Sequence, residues 1–404
     1  MHEADSDGVQ QVRASLTSGT VELPRVGAVR AQDGAAEPYM LVDAAGVAVE
    51  PVRWWLRELV LGDQSSLTVR SYAYALLTWH RVLWFVDVAW DRAAESDTAA
   101  LVGWMRSARN PQRRGAAVAG TVNVRTGKPS PAAGYSAATI NLTLAAVHGF
   151  YEFHRRQGAG PLRNPVPEGR HRRRALAHRS PLEPVPPFRR GRFRQKQQLR
   201  APRSIPDALF DELLTQMRCD RDRALLTAYV SSGVRAGELL GVRAEDLDWT
   251  RQRIWVVSKG SRELRMAPLS PQALHWVTCY LDAEGLPPAG EPIWRTRRGQ
   301  PRRPLTYPAA RRVLQRANEV LGTNWSLHDL RHTAATRMAG SGVPSLPDVQ
   351  TVLGHRDIRT TSRYTEPRLE ELCDRLADFH ARPPEPARPT IGYDPTDLAA
   401  VFGA

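Results

Sequence analysis

The chain has 404 residues, enough for two or three domains with real cores, and a formal net charge of +14, which points to a polyanionic partner. Its three cysteines, Cys219, Cys279 and Cys373, are far apart and form no C-x-x-C pattern. This argues against a disulfide framework or a zinc site and fits reduced thiols. With no signal-peptide pattern at Met1-His2-Glu3-Ala4-Asp5 and no apolar run long enough to span a bilayer, the expectation is a soluble, cytoplasmic protein with no membrane partner.

Residues 1–50 are small, mixed and weakly patterned, and no element is assigned to them. Helical periodicity begins at Pro51, where Trp54, Leu56, Leu59 and Val60 open an apolar face. Ser65-Ser66 is placed to cap a second helix carrying Val69, Tyr72, Leu76, Leu77, Leu83 and Trp84. A third helix runs from Thr98 through Met105. A Gly-, Pro- and Arg-rich loop over 107–136 leads into a fourth, with Ile140, Leu144, Val147, Phe150 and Tyr151. Residues 51–164 therefore read as a helical domain whose aromatic side chains belong to its core rather than to base-stacking platforms.

Residues 165–203 combine prolines that prevent long helices with dense positive charge, including Arg172, Arg173, Arg174, Arg189, Arg190 and Arg192. A solvated tether would look extended too, but it would not need this charge. The expectation is a basic interdomain strap whose arginines lie on a phosphate backbone. The second domain, 204–380, reads as mostly helical, interrupted by a hairpin with strands at Ile254–Val257 and Leu264–Leu269. After Tyr364, Leu369, Leu372, Leu376 and Phe379 mark one face of a last helix, and residues 381–404 form a tail. The fold class expected is mainly α, with an N-terminal helical domain followed by a mixed α/β domain of helices around a small β-hairpin sheet.

Four motifs in the second domain offer cations and hydrogen-bond donors without a carboxylate cluster. Arg235 stands at a turn-to-helix junction, with Glu238 three residues on. That pair reads either as a weak surface ion pair or as a buttress orienting a functional cation. Lys259 sits at the hairpin tip. Only three lysines, Lys128, Lys196 and Lys259, occur against a large excess of arginine. Lysine can donate a proton at accessible pH and arginine cannot, so Lys259 reads as a general acid. His328 and Arg331 share a helix turn opened by a Ser326-x-x-Asp329 capping box, where the helix start favours an anion. His332 reads as a buried structural histidine. A second capped helix from Ser345-x-x-Asp348 ends at Gly354. His355 follows, and Tyr364 comes nine residues later. Tyr280, Tyr307 and Tyr393 compete as nucleophiles but lack this framing. The set can grip one phosphodiester, protonate a leaving alkoxide and attack phosphorus with a hydroxyl.

In this order the motifs resemble the tyrosine recombinase (phage integrase) family across 204–380. The helical domain before them is similar, more weakly, to that family's core-binding domain. The resemblance implies catalytic roles for Arg235, Lys259, His328, Arg331, His355 and the nucleophile Tyr364, with Glu238 in support. It implies cleavage and rejoining of double-stranded DNA through a 3′-phosphotyrosine, with no metal and no cofactor. Four protomers on two DNA sites, an accessory directionality factor, and a role in integration, excision or transposition of a mobile element belong to the same expectation. The alternatives are a type IB topoisomerase-like enzyme, which would relax DNA without a dedicated site, chromosome-dimer resolution, and a non-enzymatic DNA binder.

Overall fold

In a computed structural model of the chain, the structure describes residues 2–33, 36–108, 120–130, 134–167, 191–197, 203–258, 262–299, 301–354, 396 and 399–400. Its elements are mostly helices, with small antiparallel sheets. They form two compact units. The first is Met1–Arg200 with Gly260–Arg262 and Gln315–Trp325; the second is Ala201–Lys259, Glu263–Leu314 and Ser326–Ala404.

The first unit contains the four expected helices and more. Helix α1 (His2–Ser18) and the hairpin β1 (Ala28–Ala31) and β2 (Tyr39–Val42) precede α2 (Glu50–Leu61), α3 (Ser66–Phe85), α4 (Glu95–Ser107) and α5 (Ala137–Arg156). The unassigned first fifty residues thus contribute Leu16, Leu23 and Leu41 to the same core as α2–α5. An ion pair adds to this burial. Arg13 Nε donates to Asp97 Oδ1 at 2.7 Å, and Asp97 Oδ2 accepts the Ala94 N–H at 2.8 Å, so one buried carboxylate both starts α4 and holds α1. Ser65 caps α3 as expected, its Oγ accepting from Thr68 N. The aromatic side chains are mainly core. Trp79 Nε1 donates to Tyr151 Oη, which donates to the Trp90 carbonyl. Trp54 departs from the expected face of α2: it is exposed, and Val52, Trp55 and Leu56 are the buried residues.

His80 lies in this core with its Nδ1 3.0 Å from the Leu76 carbonyl and its ring edge-on to Trp84 and Phe150. Burial pulls its pKa down to about 4, against a weaker opposing effect of the carbonyl. An unfolded chain protonates this imidazole at its ordinary value near 6.5 and the folded one only near 4. The unfolded state therefore binds more protons in that window, and stability falls as pH drops from about 6.5 to about 4. The loss expected from His80 alone is about 3 kcal/mol. Denaturant midpoints measured from pH 7 to pH 4.5 should fall less for His80→Leu; an unchanged pH slope would sink the attribution.

In the second unit α6 (Asp207–Thr215) leads to α7 (Asp220–Ser232), which is buried along most of its length and packs on α9 (Pro271–Glu284) and α11 (Leu327–Gly340). Between them lie α8 (Ala236–Leu240) and an antiparallel sheet of β3 (Leu247–Asp248), β4 (Arg253–Val257) and β5 (Leu264–Pro268). β3 is a third strand added to the expected hairpin. Helix α10 (Tyr307–Leu321) precedes α11, its last residues falling in the first unit, and α12 (Leu346–Leu353) follows.

Candidate active site at the end of helix α12

Each described site residue is placed by a local stop or start signal. Helix α7 ends at Gly233, whose φ of +63° suits glycine, and a Cβ there would meet Leu353 Cδ2 at 2.8 Å. Two residues later Arg235 is the N-cap of α8, and Glu238 takes its backbone N–H at 2.9 Å. Both predicted capping boxes form. Asp329 Oδ2 accepts the Ser326 N–H at 2.7 Å at the start of α11, and Asp348 Oδ2 accepts the Ser345 N–H at 2.8 Å at the start of α12. At α11 the capping carboxylate of Asp329 therefore takes an N-terminal donor that the sequence reading had offered to an external anion.

Glu238 is no surface partner. Its side chain is 2% exposed; Oε1 accepts Arg235 Nη1 at 2.9 Å and Oε2 accepts Arg265 Nη2 at 2.7 Å. Burial pushes this carboxyl up. The Arg235 N–H and guanidinium, with Arg265, outweigh it and hold the group below the usual carboxylate range. The glutamate stays ionised and fixes both guanidiniums.

The last turn of α12 joins the pieces. The Gly354 N–H caps the carbonyls of Gln350 and Thr351. The next three carbonyls each accept from a different arginine: Val352 from Arg265 Nη1, Leu353 from Arg331 Nη2 at 2.7 Å, and Gly354 from Arg235 Nη2 at 3.0 Å. Arg331 Nη1 also donates to the Gly233 carbonyl at 2.7 Å, knitting the end of α7 to the end of α12. Cations at a helix C-terminus satisfy its orphan carbonyls and oppose its negative pole. Arg235 and Arg265 share the Glu238 carboxylate while Arg331 donates to neighbouring carbonyls, and Arg235 spends on these partners only part of its five-donor fork. The arrangement suits an anion gripped by arginine.

His328 stands exposed on the first turn of α11, while Arg331, three residues on, is buried. His332 is half-buried rather than buried. Its ring meets that of His328 edge-on, with centroids 4.1 Å apart. Lys259, His355 and Tyr364 lie outside the described residues, as do Arg172, Arg173, Arg174, Arg189, Arg190 and the helix expected after Tyr364. Lys259 follows Ser258, whose N–H donates to the Glu263 carbonyl at 2.8 Å, and His355 follows Gly354 in the sequence. Arg192 is described and forms a surface ion pair with Glu95. Among the competing tyrosines, Tyr280 is committed to the Ile293 carbonyl at 2.7 Å.

Two neighbours of the site escaped the sequence reading. Tyr229 on α7 is buried. Burial, then Tyr307, pushes its phenol far above the ordinary value, while Arg331 opposes; it stays protonated at neutral pH. The other is Arg265. The apolar residues Leu264 and Met266 alternate with it and suggest that it faces water. Instead Leu264 and Met266 are exposed, and Arg265 shares the inner face with Ala267. The register decides this, since Ile254 and Val256 of β4 are buried opposite Ala267 and Arg265.

A model of the phage integrase family matches residues 207–371. Among curated relatives, tyrosine recombinase XerC of Pelobacter propionicus is 36% identical over 169 residues, which cover 41% of this chain and 55% of the relative. Tyrosine recombinase XerD of Pseudomonas aeruginosa is 34% identical over 191 residues, covering 45% and 61%. The chain thus spans between half and two thirds of the length of these relatives. Of solved structures, a lambda integrase dimer bound to a COC′ core site shares the fold at a TM-score of 0.53 and 16% identity, over 80% of this chain and 96% of that one. Fold and motifs describe a mostly helical protein in which three arginines meet at the end of α12. Residues 207–371 thus match the phage integrase family model, and the curated relatives that this part of the chain resembles are tyrosine recombinases.

Proposed function

We propose that the chain is a site-specific DNA recombinase that cuts and rejoins strands of double-stranded DNA. The observation that carries this reading is the convergence of Arg235 and Arg331 on adjacent carbonyls, Gly354 and Leu353, immediately before His355 in the sequence. In the proposed reaction the Tyr364 hydroxyl attacks the scissile phosphorus. The bond from phosphorus to the 5′-oxygen breaks as the 3′-phosphotyrosine bond forms, and Lys259 supplies the proton to the leaving oxygen. Arg235, Arg331, His328 and His355 hold the non-bridging oxygens as charge builds on them. The intermediate keeps the bond energy, so rejoining reverses the step. Exchange between two sites requires four protomers, with an accessory factor setting direction. The linker arginines, Arg192 among them, contribute phosphate contacts. Each contact removed should lower the log–log salt slope of DNA binding by roughly 0.9, and an unchanged slope would make the linker a tether.

The biological setting proposed is a mobile element, motivated by the long basic linker. The similarity to XerC and XerD supports chromosome-dimer resolution as the second reading. A plasmid carrying two copies of the DNA flanking the gene tests the class. Recombination between copies supports a recombinase, and relaxation without a dedicated site would favour the topoisomerase-like alternative. In the same assay Arg235→Ala or Arg331→Ala should each slow cleavage roughly a hundredfold or more, with DNA affinity falling much less. Equal losses in binding and cleavage would reduce these arginines to DNA-positioning residues.

A further inference from the structure

Arg265 carries more of the site's geometry than its place on a strand suggests. Its guanidinium joins three parts of the second unit. It belongs to β5, which follows Lys259 in the sequence. It donates through Nη2 to Glu238 Oε2 at 2.7 Å and through Nη1 to the Val352 carbonyl in the last turn of α12. Glu238 in turn holds both the backbone N–H and the guanidinium of Arg235. The side chain is 14% exposed, so these bonds are shielded from water. It also lies over Gly354. A Cβ at that position would come 3.1 Å from Arg265 Nε, and the backbone there is left-handed, with φ +64°. The residue before His355 is therefore seated against Arg265.

We propose that Arg265 is a positioning residue for cleavage. It acts through Glu238 on the direction of the Arg235 guanidinium, and through Val352 and Gly354 on the path of the chain into His355. This inference rests on the recombinase reading above. A planar fork is required, because the two acceptors lie on different elements and are met by different nitrogens. Lysine presents a single nitrogen and can bridge them only poorly. Displacing a charge-stabilising group by about 1 Å costs roughly a hundredfold in rate, so a loss of the support need not abolish binding to be felt in chemistry.

The test is single-turnover formation of the covalent protein–DNA adduct on a nicked site duplex at saturating protein, with DNA affinity and thermal melting measured alongside. Arg265→Met is combined with Arg235→Ala in a double-mutant cycle. Arg265→Met alone should slow adduct formation roughly tenfold to a hundredfold while DNA affinity stays within about threefold. On the Arg235→Ala background it should add about twofold or less, because the guanidinium it positions is gone. A general structural defect would instead multiply the two losses, and that result overturns the proposal, as does wild-type cleavage by Arg265→Met. Should Arg265→Met fail to fold, Arg265→Lys, which keeps the charge beside Glu238, enters the same cycle with the same criteria. Absence of adduct from the unaltered chain would count against the recombinase reading itself, whereas a normal adduct with no effect of Arg265→Met counts against this inference alone.

Discussion

Tyr364→Phe is expected to bind site DNA as tightly as the unaltered chain and to form no covalent adduct with it. The motivation combines sequence and structure. Helix α12 ends at Gly354 with three guanidiniums on its last carbonyls, His355 follows at once, and Tyr364 comes nine residues later. Nine residues extend to at most about 32 Å, so a tyrosine at that distance has ample chain to return to the arginine-lined spot. The structure weakens two rivals. Tyr280 is tied to the Ile293 carbonyl, and burial raises its phenol pKa. Tyr229, which feels the charge of Arg331, is buried and held protonated. Losing the attacking oxygen removes the reaction path itself rather than a contribution to it, so adduct formation should fall by roughly 10⁴-fold or more. The measurement is a suicide duplex nicked beside the cleavage point, resolved on a denaturing gel. A protein–DNA band that persists in the mutant would move the nucleophile to another residue.

The parts of the fold and site that the sequence showed are those set by neighbours in the chain. Ser65, Ser326 and Ser345 announce helix starts because capping involves residues three apart, and the structure places helices at all three. Gly354 announces a stop because glycine tolerates a left-handed backbone. What stayed hidden depends on pairings distant in sequence. Helix α1 is sparse in apolar residues, and beside the buried Leu16 it is held by an ion pair between Arg13 and Asp97 across 84 positions. Its periodicity therefore carries little signal. Arg265 was concealed for a different reason. Local alternation would bury Leu264 and Met266, but pairing with the buried face of β4 turns the strand the other way and sends the arginine inward. A polar residue turned into a core is a local rule broken, and such breaks concentrate at functional sites.

Lys259→Arg should impair cleavage nearly as much as Lys259→Ala, although it preserves the charge. With three lysines in the chain, substitution pressure plainly favours arginine wherever a positive charge suffices. The site already draws on three guanidiniums, Arg235, Arg265 and Arg331, so a fourth cation would gain nothing from being lysine unless its proton had to leave. Arginine keeps its proton at any accessible pH. A proton donor to a leaving alkoxide contributes roughly 10² to 10⁴ in rate, and that is the loss expected for both variants. A duplex with sulfur in place of the bridging 5′-oxygen separates the roles, because a thiolate leaves without being protonated. On that substrate both Lys259 variants should recover much of their rate, while Arg235→Ala, which weakens the grip on the non-bridging oxygens, should stay slow. Single-turnover cleavage of the matched oxygen and sulfur duplexes decides the matter. Near-normal cleavage of the oxygen duplex by Lys259→Arg would mean that residue 259 supplies charge alone. The proton would then have to come from elsewhere, with the exposed imidazole of His328, braced by His332, the first candidate.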